Sequence, residues 1–242
     1  MKLIVAGANG FAATEVIRQS LLLREVTSVV ALSRQPISVG SSAGSSKLKT
    51  VIVKNYDSYP DDIRKEFADA NACIWTVAVT PSKSKALDFA EVRRVCQEFP
   101  LAGLKAMHEA SPARPFRFLY MSGFTAERDQ TKTPDFMPQY ALMRGETETK
   151  LLAYAADHQG EIEVCAAKPG FITAPGIALA WRSAFAFVLK LTHGLASISI
   201  TDISAAMLDQ VIYGFEKEPL FTDDLTRIGR EALKRIVSGE DS

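Results

Sequence analysis

Tyr140 and Arg144 stand four residues apart in the run YALMRGETE, and that pair could move a proton. A phenol ionises at about pH 10, so it serves as general acid or base near neutrality only beside a cation that stabilises the phenolate. On a helix, positions i and i+4 share a face, which puts Arg144 next to Tyr140 and Glu148 one turn further. The same spacing also suits a helix that carries Tyr, Arg and Glu only for packing and pairing. Upstream, the apolar run Phe116–Met121 ends in Ser122-Gly123, which places a hydroxyl where a buried strand meets its loop.

A second constellation opens the chain. Leu3-Ile4-Val5-Ala6 runs into Gly7-Ala8-Asn9-Gly10-Phe11-Ala12-Ala13, and Ala13, Val16, Ile17, Ser20 and Leu21 then recur at helical period. This reads as strand, glycine turn and helix. Gly7 would make the tight turn, and Gly10 would let the backbone approach a pyrophosphate. The free N–H groups and dipole of the helix start would hold its charge. A turn that needs glycine only for its backbone angles gives the same pattern. Strand two ends in Ser33-Arg34, with no Asp or Glu between Thr27 and Asp57. In such folds an acid at this point binds the 2′-hydroxyl of NAD, whereas an arginine accommodates the 2′-phosphate of NADP. Arg34 therefore points to NADP(H).

These groups must be positioned by an alternating scaffold. Strands are expected at Val26–Leu32, Leu48–Val53, Ala72–Val79, Phe116–Met121 and Ile162–Ala167. Helices are expected at Asp61–Ala70, Ser84–Ala110 (broken at Pro100) and Gln139–Ala156. Continuous apolar runs such as ACIWTVAV suit strands buried on both faces. The pattern implies α/β architecture, a single Rossmann-like doubly wound parallel sheet over residues 1–242. Residues 169–242 depart from strict alternation. Ser38–Ser46 is a low-complexity loop.

Composition narrows the function. Lys+Arg and Asp+Glu are both 28, so nothing in the charge balance suggests a basic footprint for nucleic acid. Cys73, Cys96 and Cys165 are scattered, and His108, His158 and His193 are not metal-spaced; no metal is expected. The longest apolar stretch, Ile177–Leu191, is interrupted by Arg182 and Lys190 and is too short to span a bilayer. The first strand is expected from residue 2, so no leader is expected. The expectation is a cytoplasmic protein without membrane contact, a monomer or homodimer acting on a small molecule.

The GANGFAA turn, Ser122, Tyr140-x-x-x-Arg144-Gly145-Glu146-x-Glu148 and Lys168-Pro169-Gly170-Phe171-Ile172 occur in an order that resembles the atypical short-chain dehydrogenase/reductases, including NmrA-like proteins. The resemblance spans nearly the whole chain. It implies that Gly7, Asn9, Gly10, Phe11 and Ala12 surround the pyrophosphate and that Ser33 and Arg34 meet the 2′-phosphate. Val77, Ala78 and Val79 would line the ribose region, and Pro169, Gly170, Phe171 and Ile172 would pack on the nicotinamide. Tyr140 would be the acid/base, and Ser122, or else Thr125, the catalytic hydroxyl. Arg144 stands where the family has a lysine that binds ribose and lowers the tyrosine pKa. It keeps the charge but is planar and never deprotonates. Asp202 would cap a helix in ITDISAAM. The segment with Trp181, Phe185 and Phe187 would cover a cleft for an apolar or aromatic substrate. The implied activity is NADPH-dependent reduction of a small carbonyl or enone. The alternatives are a redox-neutral isomerase, dehydratase or cyclase, or a non-catalytic NADP(H)-binding regulator.

Overall fold

In the computed structural model, residues 1–37, 44–110, 112–174 and 196–238 are described. Strands β1 (Lys2–Ala6), β2 (Ser28–Ser33), β3 (Leu48–Ile52), β4 (Ala72–Trp75), β5 (Phe116–Met121) and β6 (Ile162–Lys168) form one sheet with the later β9 (Leu220–Phe221). Their order is β3-β2-β1-β4-β5-β6-β9 and every pairing is parallel. The chain builds outward from β1 to β3, returns to β4 beside β1, and then builds the other way. That reversal opens a crevice at the carboxyl ends of β1 and β4. Two short strands, β7 (Phe171–Thr173) and β8 (Ser197–Ser199), pair in parallel beyond β6.

Both faces of the sheet are buried, as the continuous apolar runs require. Successive side chains alternate between faces. Leu3 and Val5 join Val16 and Ile17 of helix α1 (Phe11–Ser20) and Ile203 and Met207 of the helix Ile200–Tyr213. Ile4 and Ala6 join Trp75, Phe118 and the opposite helical layer, where Leu104, Met107 and Leu151 pack. Each fully buried Leu or Ile contributes about 1.5–3 kcal/mol relative to exposure.

Four sequence expectations change. The strand in ACIWTVAV stops at Trp75, because β1 ends at Ala6 and leaves Val77 onward without a ladder partner on that side. The helix expected over Asp61–Ala70 is shorter, an α turn at Asp61–Arg64 followed by a 3-10 turn at Lys65–Phe67. Pro100 does not break its helix. After short helices at α2 (Asp61–Arg64) and α3 (Pro81–Ser84), α4 (Phe89–Arg93) runs through a π-helical turn at Arg94–Glu98 into α5 (Phe99–Glu109). Pro100 cannot donate to the carbonyl four residues back. That carbonyl, of Cys96, instead accepts the Tyr120 hydroxyl at 3.0 Å. Finally, Ser199 rather than Asp202 caps α7 (Ile200–Tyr213); its hydroxyl accepts the Asp202 N–H at 2.9 Å. The candidate tyrosine helix is α6 (Pro138–Asp157), and α8 (Thr222–Ser238) closes the chain. The apolar stretch Ile177–Leu191 lies outside the described residues.

Candidate functional site

The glycine turn follows β1 directly. Gly7 has φ +85°, a left-handed conformation that favours glycine. The Gly7 and Ala8 N–H groups both donate to the Leu32 carbonyl, at 3.0 and 2.9 Å, and the Gly10 N–H donates to Gly7 O at 2.7 Å. A Cβ on Gly7 would lie 2.7 Å from Thr76 Oγ1, which is itself fixed on the Ala6 carbonyl. The turn is thus pinned to β2 and to the exit of β4. Gly10 differs. Its φ is −76°, and it stands exposed at the N-cap of α1 with no side chain capping the helix. Among the described residues, the N–H groups of Phe11, Ala12 and Ala13 have no acceptor, and the first turn holds no acid. Three N–H donors without an acceptor at a positive dipole end have the chemistry that suits an anion.

At the end of β2, Arg34 is exposed and has no ion pair among the described residues. Ser33 is buried, and its hydroxyl donates to the Gln35 carbonyl, which also accepts Asn9 Nδ2 at 3.3 Å. Ser33 therefore presents no hydroxyl proton outward. The Tyr56 hydroxyl supports this corner from beneath, on Leu32 O at 3.0 Å.

The opposite end of the crevice is formed by β4, β5, α6 and β6. Tyr140 is 8% exposed, and its hydroxyl donates to Val79 O at 2.8 Å. The Val79 N–H meets Cys96 Sγ at 3.2 Å. Arg144 is 4% exposed. Its guanidinium lies 4.9 Å from the centre of the Tyr120 ring and 6.0 Å from that of Tyr140, and Nη2 donates to Met121 O at 2.8 Å. Nε is buried without a partner. Its only charge-compensating surroundings among the described residues are π faces, a carbonyl and the Cys96 thiol. Burial pushes the Tyr140 pKa up, and the Arg144 charge only partly opposes this.

Ser122 is also buried, and its hydroxyl donates to Glu148. Glu148 has a fully buried carboxylate that also receives Arg128 Nε at 2.7 Å and Lys168 Nζ at 3.2 Å. Arg128 continues to Glu218, and Lys168 Nζ also donates to Ala126 O at 2.7 Å. This buried ionic network is absent from the sequence expectations. Its visible signals were Glu148 on the tyrosine face and Lys168 ending an apolar strand. Thr125, half-buried, makes no side-chain hydrogen bond among the described residues. Beyond β6, Pro169 O accepts the Phe124 N–H at 3.0 Å, and the Gly170 N–H donates to Thr222 Oγ1 at 2.9 Å. A Cβ on Gly170 would lie 2.1 Å from Ala196 O, so only glycine lets β7 meet the approach to β8. Phe171 and Ile172 are half-buried there, Val77 and Val79 are half-buried beside β4, and Ala78 is exposed.

No protein-family model and no curated protein sequence matches this chain. Solved structures do. MoeE5, solved with UDP-glucuronic acid and NAD, superposes with a TM-score of 0.67 at 15% identity, covering 91% of this chain and 75% of that one. The dTDP-glucose 4,6-dehydratase DesIV of Streptomyces venezuelae, solved with NAD and TYD, gives 0.66 at 14% identity, covering 97% and 81%. The fold is the one these structures share, a doubly wound parallel α/β sheet. Vestitone reductase from alfalfa shares it as well, with a TM-score of 0.62 at 18% identity over 91% of this chain and 75% of that one. No helix among the described residues is long and apolar enough to cross a membrane.

Proposed function

We propose that this chain is an NADP(H)-dependent oxidoreductase that reduces a small, apolar or aromatic carbonyl or enone. The observation that carries the nucleotide half is the pairing of three unclaimed N–H groups at the start of α1 with an exposed, unpaired Arg34 at the end of β2. The N–H groups fit a pyrophosphate, and Arg34 fits a 2′-phosphate rather than a bare ribose hydroxyl. The fold neighbours solved with NAD support a pyridine dinucleotide in this crevice.

When bound, the dinucleotide supplies the hydride. Tyr140 supplies the proton to the carbonyl oxygen. Its raised pKa keeps the phenol protonated through the neutral range, the state that a donor needs. The proton must leave Val79 O first, so the substrate oxygen has to compete with that carbonyl. Arg144 stabilises the phenolate left behind across the 6.0 Å to the ring. Phe124, 38% exposed beside Pro169, suits an apolar substrate. Redox-neutral chemistry would use the same proton donor.

A specific observation favours a second reading, a non-catalytic NADP(H)-binding regulator. The Tyr140 and Ser122 hydroxyls and Arg144 Nη2 are each engaged inside the protein. The test is Tyr140→Phe, assayed by NADPH consumption with aromatic ketones and enones. Turnover should fall at least about a hundredfold, with cofactor affinity within a few-fold. Wild-type rates should hold to about pH 9 and fall only as pH rises through the raised tyrosine value. Full activity in Tyr140→Phe overturns the catalytic assignment. NADPH binding with no turnover, together with altered binding of a partner protein, selects the regulator.

A further inference from the structure

Three charged side chains are buried among the described residues, Arg144, Glu148 and Lys168. Glu148 and Lys168 pair with each other at 3.2 Å. Glu148 also receives Arg128, whose charge Glu218 balances. Arg144 has no ion pair among the described residues. Apart from residues 239–242, the stretches outside them (38–43, 111 and 175–195) contain no acid that could supply one. The Arg144 guanidinium meets a carbonyl, a thiol and two ring faces, and Nε is buried with no partner. A buried charge left in this state is costly until an anion completes it. Room for one begins nearby. Arg144 Nη2 is bonded to Met121 O at the end of β5, and two residues on, a Cβ added to Gly123 would meet nothing within 4 Å. Tyr140 lies one helical turn from Arg144, and Phe124 stands exposed on the same loop as Gly123.

We infer that Arg144 receives a carboxylate of the substrate, so that the molecule reduced beside Tyr140 is an aromatic or apolar oxo acid rather than a neutral ketone. That the bound acid is the substrate rests on the oxidoreductase reading above. A carboxylate only accepts, and a guanidinium presents a planar fork of donors, so the pair forms charge-assisted bonds and uses N–H groups that the protein leaves idle. The carboxylate is held and is not itself altered. A neutral ketone in the same place would cover the guanidinium without compensating it.

The test is calorimetric titration of the full chain, with NADP+ present, using 3-phenylpropanoate and its neutral amide. NADPH consumption is followed alongside with phenylpyruvate and its methyl ester. The acid should bind at least about tenfold tighter than the amide and raise Tm. Arg144→Met should abolish that preference. Its ligand-free melt should equal or exceed wild type, because an apolar chain replaces an unpaired buried charge. Arg144→Lys should keep the preference in weaker form, since a point charge replaces the fork. Should Arg144→Met not fold, the comparison of acid and amide in wild type and Arg144→Lys decides. Equal binding of acid and amide to wild type, or a preference that survives Arg144→Met, overturns this inference; reduction of the methyl ester then leaves the oxidoreductase reading standing. A preference lost in Arg144→Met, with no NADPH consumed on phenylpyruvate or its ester, supports the carboxylate site and overturns the oxidoreductase reading.

Discussion

At the carboxyl ends of β1 and β2, the first N–H groups of α1 and the Arg34 side chain are left to solvent or a ligand. At the carboxyl ends of β5 and β6, the polar groups point inward, toward one another. The first region uses backbone N–H groups left over by helix geometry and one exposed arginine. The second holds Glu148, Lys168, Arg144 and Ser122, each under a tenth exposed. Helix-end donors remain unsatisfied at almost no cost while water reaches them. Buried charges cannot, so they are retained only with partners. The first end is thus prepared for a ligand by default. At the second, the fold and the ligand compete for the same groups.

The largest expected effect comes from blocking the outward end. Gly10→Val should weaken both NADPH and 2′,5′-ADP by at least about a hundredfold, ~2.7 kcal/mol, because a branched side chain would fill the space before the Phe11–Ala13 N–H groups. The fold should survive. Gly10 has an ordinary φ, and its Cβ would meet only Gly7 O at 3.0 Å and Thr76 Oγ1 at 3.9 Å. Isothermal titration beside a circular-dichroism melt reads both. Unchanged binding would make the turn purely architectural and erase the contrast between the two ends.

The inward end should respond in stability instead. Glu148→Ala leaves Lys168 buried without its carboxylate and Ser122 without its acceptor. Breaking a buried pair from one side costs about 3–5 kcal/mol, which lowers Tm by roughly 6–20 °C at this chain length. Affinity for 2′,5′-ADP should stay within a few-fold. A melt equal to wild type would show that the network is not holding this end together.

Much of the outward end could be read before any coordinates. Apolar β1, Gly7 and the Val16–Ile17 face are local patterns, and local geometry fixes where their N–H groups point. The doubly wound sheet was legible for the same reason, since Phe116–Met121 is a strand over its full expected length. The inward end depends on contacts between segments far apart in sequence. Nothing in YALMRGETE says that Arg144 lies over the Tyr120 ring. That contact depends on Pro100 and Cys96, some forty residues upstream. Pro100 itself reads as a helix break, because a one-residue π-type adjustment has no sequence period. Likewise Ser33 reads as a ligand contact until the Gln35 carbonyl is seen to accept its proton.

The smallest effect is also the most selective. Arg34→Ala removes one charge-assisted contact, worth ~1.5–3 kcal/mol when the guanidinium meets a phosphate. NADPH and 2′,5′-ADP should each weaken by about tenfold or more. NADH, which carries a hydroxyl at that position, should be nearly unaffected. The exposed setting places the loss at the lower end of that range, since water and salt screen the pair. Raising ionic strength should therefore narrow the gap between wild type and variant for NADPH and leave NADH alone. Titration of both cofactors into both proteins at two salt concentrations reads this directly. Equal losses for NADPH and NADH would mean that Arg34 supports the turn rather than the 2′-phosphate. The outward end would then recognise a pyrophosphate without distinguishing the two dinucleotides.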